Sequence, residues 1–176
     1  QVWSPLSRNM MSLLEGVQRR ATKFIISANA DARELDYKAR LTFLNMLPLT
    51  YRREIADIMV FVKAMANVYD LDMHQYVSFS TRPTRGSRSH MLMPIRCKTS
   101  TFASSYMPRL VTEWNNLGVS VRNMGMLASQ QSELLSFKRL LITSFSDRFR
   151  EHFVTDNLCT WTSACRCATC LALRPR

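Results

Sequence analysis

Long apolar runs are missing from this chain. Stretches such as Ile25-Ile26 and Met59-Val60-Phe61-Val62 fall far short of the roughly 18 residues that cross a bilayer, and charges interrupt every helix-length window. A soluble chain with no membrane partner is expected. Glycine is scarce: four residues, widely scattered, cannot build a phosphate-cradling loop. No Ser/His/Asp triad or Cys/His dyad can be picked out. Acidic residues are also short, with 13 Asp+Glu against 24 Lys+Arg, which leaves a formal charge of +11. That surplus favours polyanionic partners bound in a salt-sensitive way, nucleic acid first. An anionic membrane surface fits less well, because the cations are spread along the chain and do not form one face of a lone amphipathic helix. Cysteine is almost confined to the end, with Cys97 alone preceding Cys159, Cys165, Cys167 and Cys170. An odd count, no signal peptide and 11 methionines argue against a secreted disulfide framework and for a reducing intracellular setting, cytoplasm or nucleus. The chain opens on Gln1-Val2-Trp3 without a methionine, which raises the expectation of a piece of a longer protein.

What is present can fill a core. In 176 residues, 47% hydrophobic content suffices for one ordinary domain or two small ones. From Asn9 to Ile26 the residues Met10, Leu13, Leu14, Val17, Ala21, Phe24 and Ile25 recur every three or four positions, the spacing of one helix face. That stripe is expected to face the core and to leave Arg8, Glu15, Gln18, Arg19, Arg20 and Lys23 outside. Asp31 followed by Glu34 has the form of a capping box opening a shorter helix through Tyr37, Leu41 and Leu44, stopped by Pro48. A third helix is predicted from Leu49 to about Tyr69, with Ile55, Ile58, Met59, Val62, Met65 and Tyr69 inside and Arg52, Arg53 and Lys63 outside. The expected fold is mainly α: a three-helix bundle over residues 1–72, a basic segment with C-terminal helices over 73–155, and a cysteine-rich tail over 156–176.

Between Met73 and Thr112 there is no Asp or Glu, while Arg82, Arg85, Arg88, Arg96, Lys98 and Arg109 all fall there. With Pro83 and Gly86 as breakers this reads as a basic irregular segment, in which Met91–Ile95 has the pattern of a short edge strand or half of a β-hairpin. Its charges have no local acid to neutralise them, so phosphates would relieve their repulsion. Arg19, Arg20, Lys23, Arg52 and Arg53 are the other candidate phosphate contacts, with a solvated surface as the competing reading for each. Tyr76, Phe79 and His90 can stack on bases or anchor the segment to the core. Further helices are predicted at Ser105–Leu117, through Met107, Leu110, Val111 and Trp114, and at about Ser132–Phe153, through Leu134, Phe137, Leu141, Phe145 and Phe149. Cys159, Cys165, Cys167 and Cys170 leave two readings open: a structural zinc site, for which Cys167-x2-Cys170 has the spacing and in which His152 could replace one thiol, or four reduced thiols on a degenerate tail.

Several phrases, in order, resemble the C-terminal region of reverse transcriptases of non-LTR, LINE-type (jockey-like) retrotransposons. They are Val2-Trp3-Ser4-Pro5, Leu14-Glu15-Gly16-Val17-Gln18-Arg19-Arg20-Ala21-Thr22-Lys23, Tyr37-Lys38-Ala39-Arg40-Leu41 with Leu44-Asn45-Met46-Leu47-Pro48-Leu49, Tyr51-Arg52-Arg53-Glu54, Arg85-Gly86, Thr101-Phe102-Ala103-Ser104-Ser105-Tyr106-Met107-Pro108-Arg109, Trp114-Asn115-Asn116-Leu117 and Ser136-Phe137-Lys138. A departure is Gly118, where such sequences usually have proline. The resemblance implies a thumb and post-thumb segment that grips RNA, RNA–DNA hybrid or DNA. The catalytic palm and its Mg ions lie upstream in such a polyprotein and are partners of this segment, not part of it. Tyr69-Asp70-Leu71-Asp72 departs from the palm's metal-binding turn, since a leucine separates its acids, and it is read as a helix end. No catalytic residue and no cofactor of the segment's own is implied beyond the tail's zinc.

Overall fold

A computed structural model describes residues 8–28, 34–80 and 89–155. Among them the chain is mainly helical, with seven α-helices and no strand: α1 (Arg8–Ile26), α2 (Tyr37–Phe43), α3 (Leu49–Met65), α4 (Ser100–Ala103), α5 (Tyr106–Asn115), α6 (Val119–Leu127) and α7 (Gln131–Thr155), with a 3-10 turn at Met73–Gln75. Contacts divide the chain into two compact units. One holds Arg53–Thr143, and the other holds the described parts of Pro5–Arg52 and Ser144–Arg176. The division falls inside α3 and α7.

Helix ends follow local chemistry. α2 begins at Asp36, whose carboxylate accepts from Ala39 N at 2.7 Å; the start expected at Asp31 lies outside the described residues. Asn45 (φ 50°) ends α2, with Met46 N donating to Leu41 O and Asn45 N to Thr42 O. Asn67 (φ 56°) ends α3 in the same way, through Val68 N to Lys63 O and Asn67 N to Ala64 O. Both are Schellman closures, in which an asparagine tolerates the left-handed backbone. α3 therefore stops at Met65, short of the predicted Tyr69, which is exposed. α6 was not anticipated. It starts at Gly118, whose φ of −62° and ψ of 151° are extended, open to any residue and within proline's range.

In the Arg53–Thr143 unit, Ile55, Ile58, Met59, Phe61 and Val62 of α3 are buried, as are Leu110, Val111 and Trp114 of α5 and Leu134, Phe137 and Leu141 of α7. Phe61 meets the Trp114 ring edge-on at 4.9 Å. α6 approaches through Gly125: a Cβ there would lie 2.9 Å from Phe137 Cζ and 3.0 Å from Trp114 Cη2, on rings that are fully buried. Gly125→Ala is expected to destabilise the protein by about 1–2 kcal/mol in urea denaturation. Overpacking of roughly 1–3 kcal/mol outweighs a helix-propensity gain of about 1 kcal/mol. A stabilised variant would show that the rings yield.

The other unit corrects the reading of α1. Met10, Leu13, Leu14, Val17, Phe24 and Ile25 are exposed, whereas Glu15, Gln18, Thr22 and Ile26 are buried. The polar side faces inward because its groups find partners. Glu15 accepts from the Tyr37 hydroxyl of α2 and from Leu49 N at 3.1 Å, the first residue of α3. Gln18 donates to Leu47 O at 3.1 Å, and Thr22 donates to Arg19 O at 3.1 Å. A buried carboxylate at the amino end of α3 also opposes that helix's dipole favourably. Burial, then the Glu15 carboxylate, holds the Tyr37 phenol well above its ordinary range. Tyr51, in the first turn of α3, is buried against Phe145 and Phe149 of α7 at 5.4 and 6.4 Å. In this unit α1, α2 and the first turn of α3 are thus joined by the end of α7, while α3 from Arg53 onward belongs to the other unit.

Candidate nucleic-acid interface

The candidate cations fall into three situations. On α1, Arg20 and Lys23 are exposed and Arg19 is half-buried. Arg19 lays its guanidinium 4.9 Å from the centre of the Tyr37 ring, and Arg40 of α2 lies 5.7 Å from the same centre. One phenol ring therefore gathers guanidinium groups from two helices by cation–π attraction. Arg52 is exposed, with its Nη1 3.5 Å from Gln18 Oε1. Arg40 is a member of this cluster that sequence reasoning missed. The available signal was its position three residues after Tyr37, on the same face of a short helix.

The second group belongs to the basic segment. Arg82, Arg85 and Arg88 lie outside the described residues, as do Pro83 and Gly86. Arg96 and Lys98 are exposed and Arg53 is half-buried. The residues flanking 81–88 are held firmly. Phe79 and Leu92 form an isolated antiparallel bridge, with Ser80 N to Met91 O at 2.8 Å and Met93 N to Ser78 O at 2.7 Å. It does not lengthen into the strand expected at Met91–Ile95, because the Tyr76 and Val77 amides already serve Met73 O and Pro94 has no amide to offer.

Trp114 Nε1 donates to His90 O at 2.7 Å, and the Asn115 side chain bonds both Leu92 N and Leu92 O, at 2.9 and 2.8 Å. Arg122 is 4% exposed; it donates to Ser89 O at 3.1 Å, to Asn115 O at 3.2 Å and also to Leu117 O. Its burial lowers the guanidinium's affinity for a proton, and the three carbonyls supply hydrogen-bond partners that water would otherwise give. The Trp114-Asn115 pair, conspicuous in the sequence, thus clasps the chain where it leaves residues 81–88. Of the aromatic candidates, Phe79 meets the His74 ring at a tilt and the His90 ring edge-on, each 6.3 Å away, while Tyr76 is exposed.

Arg109 is the third case, and it is committed to the fold. Its Nε and Nη2 donate to Asp57 Oδ2 at 3.1 and 2.6 Å, its Nη1 donates to Ser104 O at 3.0 Å, and Glu113 lies at 3.6 Å. Tyr106 adds a hydrogen bond to Asp57 O at 3.0 Å. With both edges of its guanidinium used, Arg109 has little left for phosphate.

Asp72 is used as a cap, accepting from His74 N at 3.0 Å and Gln75 Nε2 at 3.3 Å. Among the described residues no three His, Cys, Asp or Glu side chains are placed to share a metal ion. Cys159, Cys165, Cys167 and Cys170 lie outside those residues. No described helix is long and apolar enough to cross a membrane.

Fold and surface together define a mainly α-helical, strongly basic chain with exposed arginines and lysines mounted on packed helices. No protein-family model, curated protein or solved structure matches it.

Proposed function

We propose that this chain is the nucleic-acid-gripping, C-terminal part of a retrotransposon RNA-directed DNA polymerase, holding the template–primer without reading its sequence. The ordered phrases in the sequence suggest the family. The observation that carries the binding reading is the imbalance on α1, α2 and the first turn of α3. Arg19, Arg20, Lys23, Lys38, Arg40 and Arg52 are there against two acids: Glu15, 1% exposed and occupied by Tyr37 and Leu49, and Asp36, exposed at the α2 cap and accepting from Ala39 N. A net positive field of this kind attracts a polyanion and releases its counterions. In the Arg53–Thr143 unit, Arg96 and Lys98, beyond the clasp, are exposed cations offered to phosphate. Chemistry in this reading belongs to an upstream palm with its Mg ions.

The test is fluorescence anisotropy with a labelled RNA–DNA hybrid and with single-stranded RNA, titrated over sodium chloride. Binding is expected to weaken with a log–log salt slope of several units and to be indifferent to base sequence. Arg20→Glu with Lys23→Glu is expected to weaken binding at least tenfold and to flatten the slope by about two, one for each phosphate no longer neutralised. Folded protein that fails to bind at low salt overturns the reading.

A further inference from the structure

α1 presents an apolar face to solvent. Phe24 is 81% exposed, Leu13 65%, Met10 58%, Ile25 57%, Val17 54% and Leu14 42%. At 100° per residue these side chains, with Ala21, fill an arc of about 120° on a helix about 28 Å long, the width by which a helix normally packs on a core. Scattered exposed hydrophobics are ordinary, but a continuous stripe of this kind marks a contact surface.

The charges bordering the stripe say what fits it. Arg20 and Lys23 are exposed along one edge, whereas the opposite edge carries Gln18 and Met11 and no charge. The helix's one acid, Glu15, is buried on the far side. A second copy of this chain would bring a further +11 to a surface with no exposed carboxylate on α1 to receive it. A lipid surface suits a helix with cations spread over a free polar face, but here the polar face is packed against protein, Arg19 included, and the exposed Arg20 and Lys23 lie on one side only. An acidic row on one flank of a partner helix matches this asymmetry. We propose that the stripe of α1 is a docking surface for an amphipathic helix of a partner polypeptide, with apolar residues at i, i+3, i+4 and i+7 and carboxylates along one border. The apolar stripe itself takes no part in the nucleic-acid contacts proposed above, but Arg20 and Lys23 on its border are counted in both, so Val17→Asp with Phe24→Asp is the variant that tests this surface alone.

The probe is a synthetic 21-residue helical peptide with leucines at those positions and a row of glutamates on one flank, titrated into the full chain by calorimetry. A second peptide has lysines in place of the glutamates. The glutamate peptide is expected to bind at least tenfold more tightly. Val17→Asp with Phe24→Asp is expected to abolish binding without changing the circular dichroism or Tm, because both side chains are exposed. Arg20→Glu with Lys23→Glu is expected to reverse the peptide preference.

Three results would overturn the proposal: no discrimination between the peptides; preferential capture by vesicles containing phosphatidylserine; or a dimer, detected by sedimentation, that Val17→Asp with Phe24→Asp dissociates. A fourth is a fall in the Tm of the full chain in that double variant, which would mean that another part of this chain covers the stripe. Loss of hybrid binding with peptide binding intact would count against the nucleic-acid reading alone.

Discussion

Trp114→Ala is expected to lower the free energy of unfolding by about 4 kcal/mol, the middle of the range for emptying an aromatic site in a core. The indole is fully buried, Phe61 packs on it at 4.9 Å, and Gly125 brings the α6 backbone against its far edge. The substitution also strips His90 O of its 2.7 Å donor, and an orphaned carbonyl adds to the loss. Urea denaturation measures the change, and a cost below about 1 kcal/mol would mean that the site collapses. Asn115→Ala separates the clasp from the core. It is expected to speed hydrogen exchange at Leu92 N, whose acceptor is Asn115 Oδ1, while costing much less global stability.

Arg109→Met is expected to cost about 3 kcal/mol at neutral pH, because it leaves the Asp57 carboxylate buried without its cation. Asp57 is 2% exposed, and burial holds its carboxyl above the ordinary carboxylate range even with the Arg109 hydrogen bonds opposing. Removing Arg109 raises it further. A group whose folded pKa lies above its unfolded value favours the native state most at low pH, and this advantage is lost as pH rises through the folded value. The penalty of Arg109→Met should therefore shrink as pH falls through the Asp57 titration in the variant. Paired melts of the two proteins between pH 7 and pH 4 measure it; a penalty constant over that interval would mean that Asp57 is not the group responsible. Asp57→Leu combined with Arg109→Met is expected to recover most of the stability, since a buried pair replaced by apolar groups is often neutral.

Helix positions were largely legible in the sequence, because apolar periodicity and stop signals act locally. Leu134, Phe137, Leu141, Phe145 and Phe149 foretold both α7 and its buried face, and Leu110, Val111 and Trp114 did the same for α5. α6 was not legible: Val119–Leu127 carries its small and polar residues without a regular stripe, and its close packing through Gly125 depends on rings supplied by two other helices. The cations were visible as a surplus, but not the fate of each. Arg109 and Arg122 have the same side chain as Arg20, and only packing decides that the first two are consumed by Asp57 and by backbone carbonyls while the third meets water.

The amino-acid sequence by itself determined that this is a helical, basic chain, since helical period and charge balance are properties of residue order and residue type. It also marked α1 as amphipathic. The tertiary structure decided which way that helix turns. A stripe of apolar residues requires some partner but does not name one, whereas Glu15, Gln18 and Thr22 can be buried only where specific donors and acceptors await them. For Glu15 and Gln18, Tyr37, Leu47 and Leu49 supply these from positions 22 to 34 residues away in the chain. Hydrogen-bond satisfaction at that distance exists only once the helices have assembled, and it set the polar side inward and left the apolar side facing out.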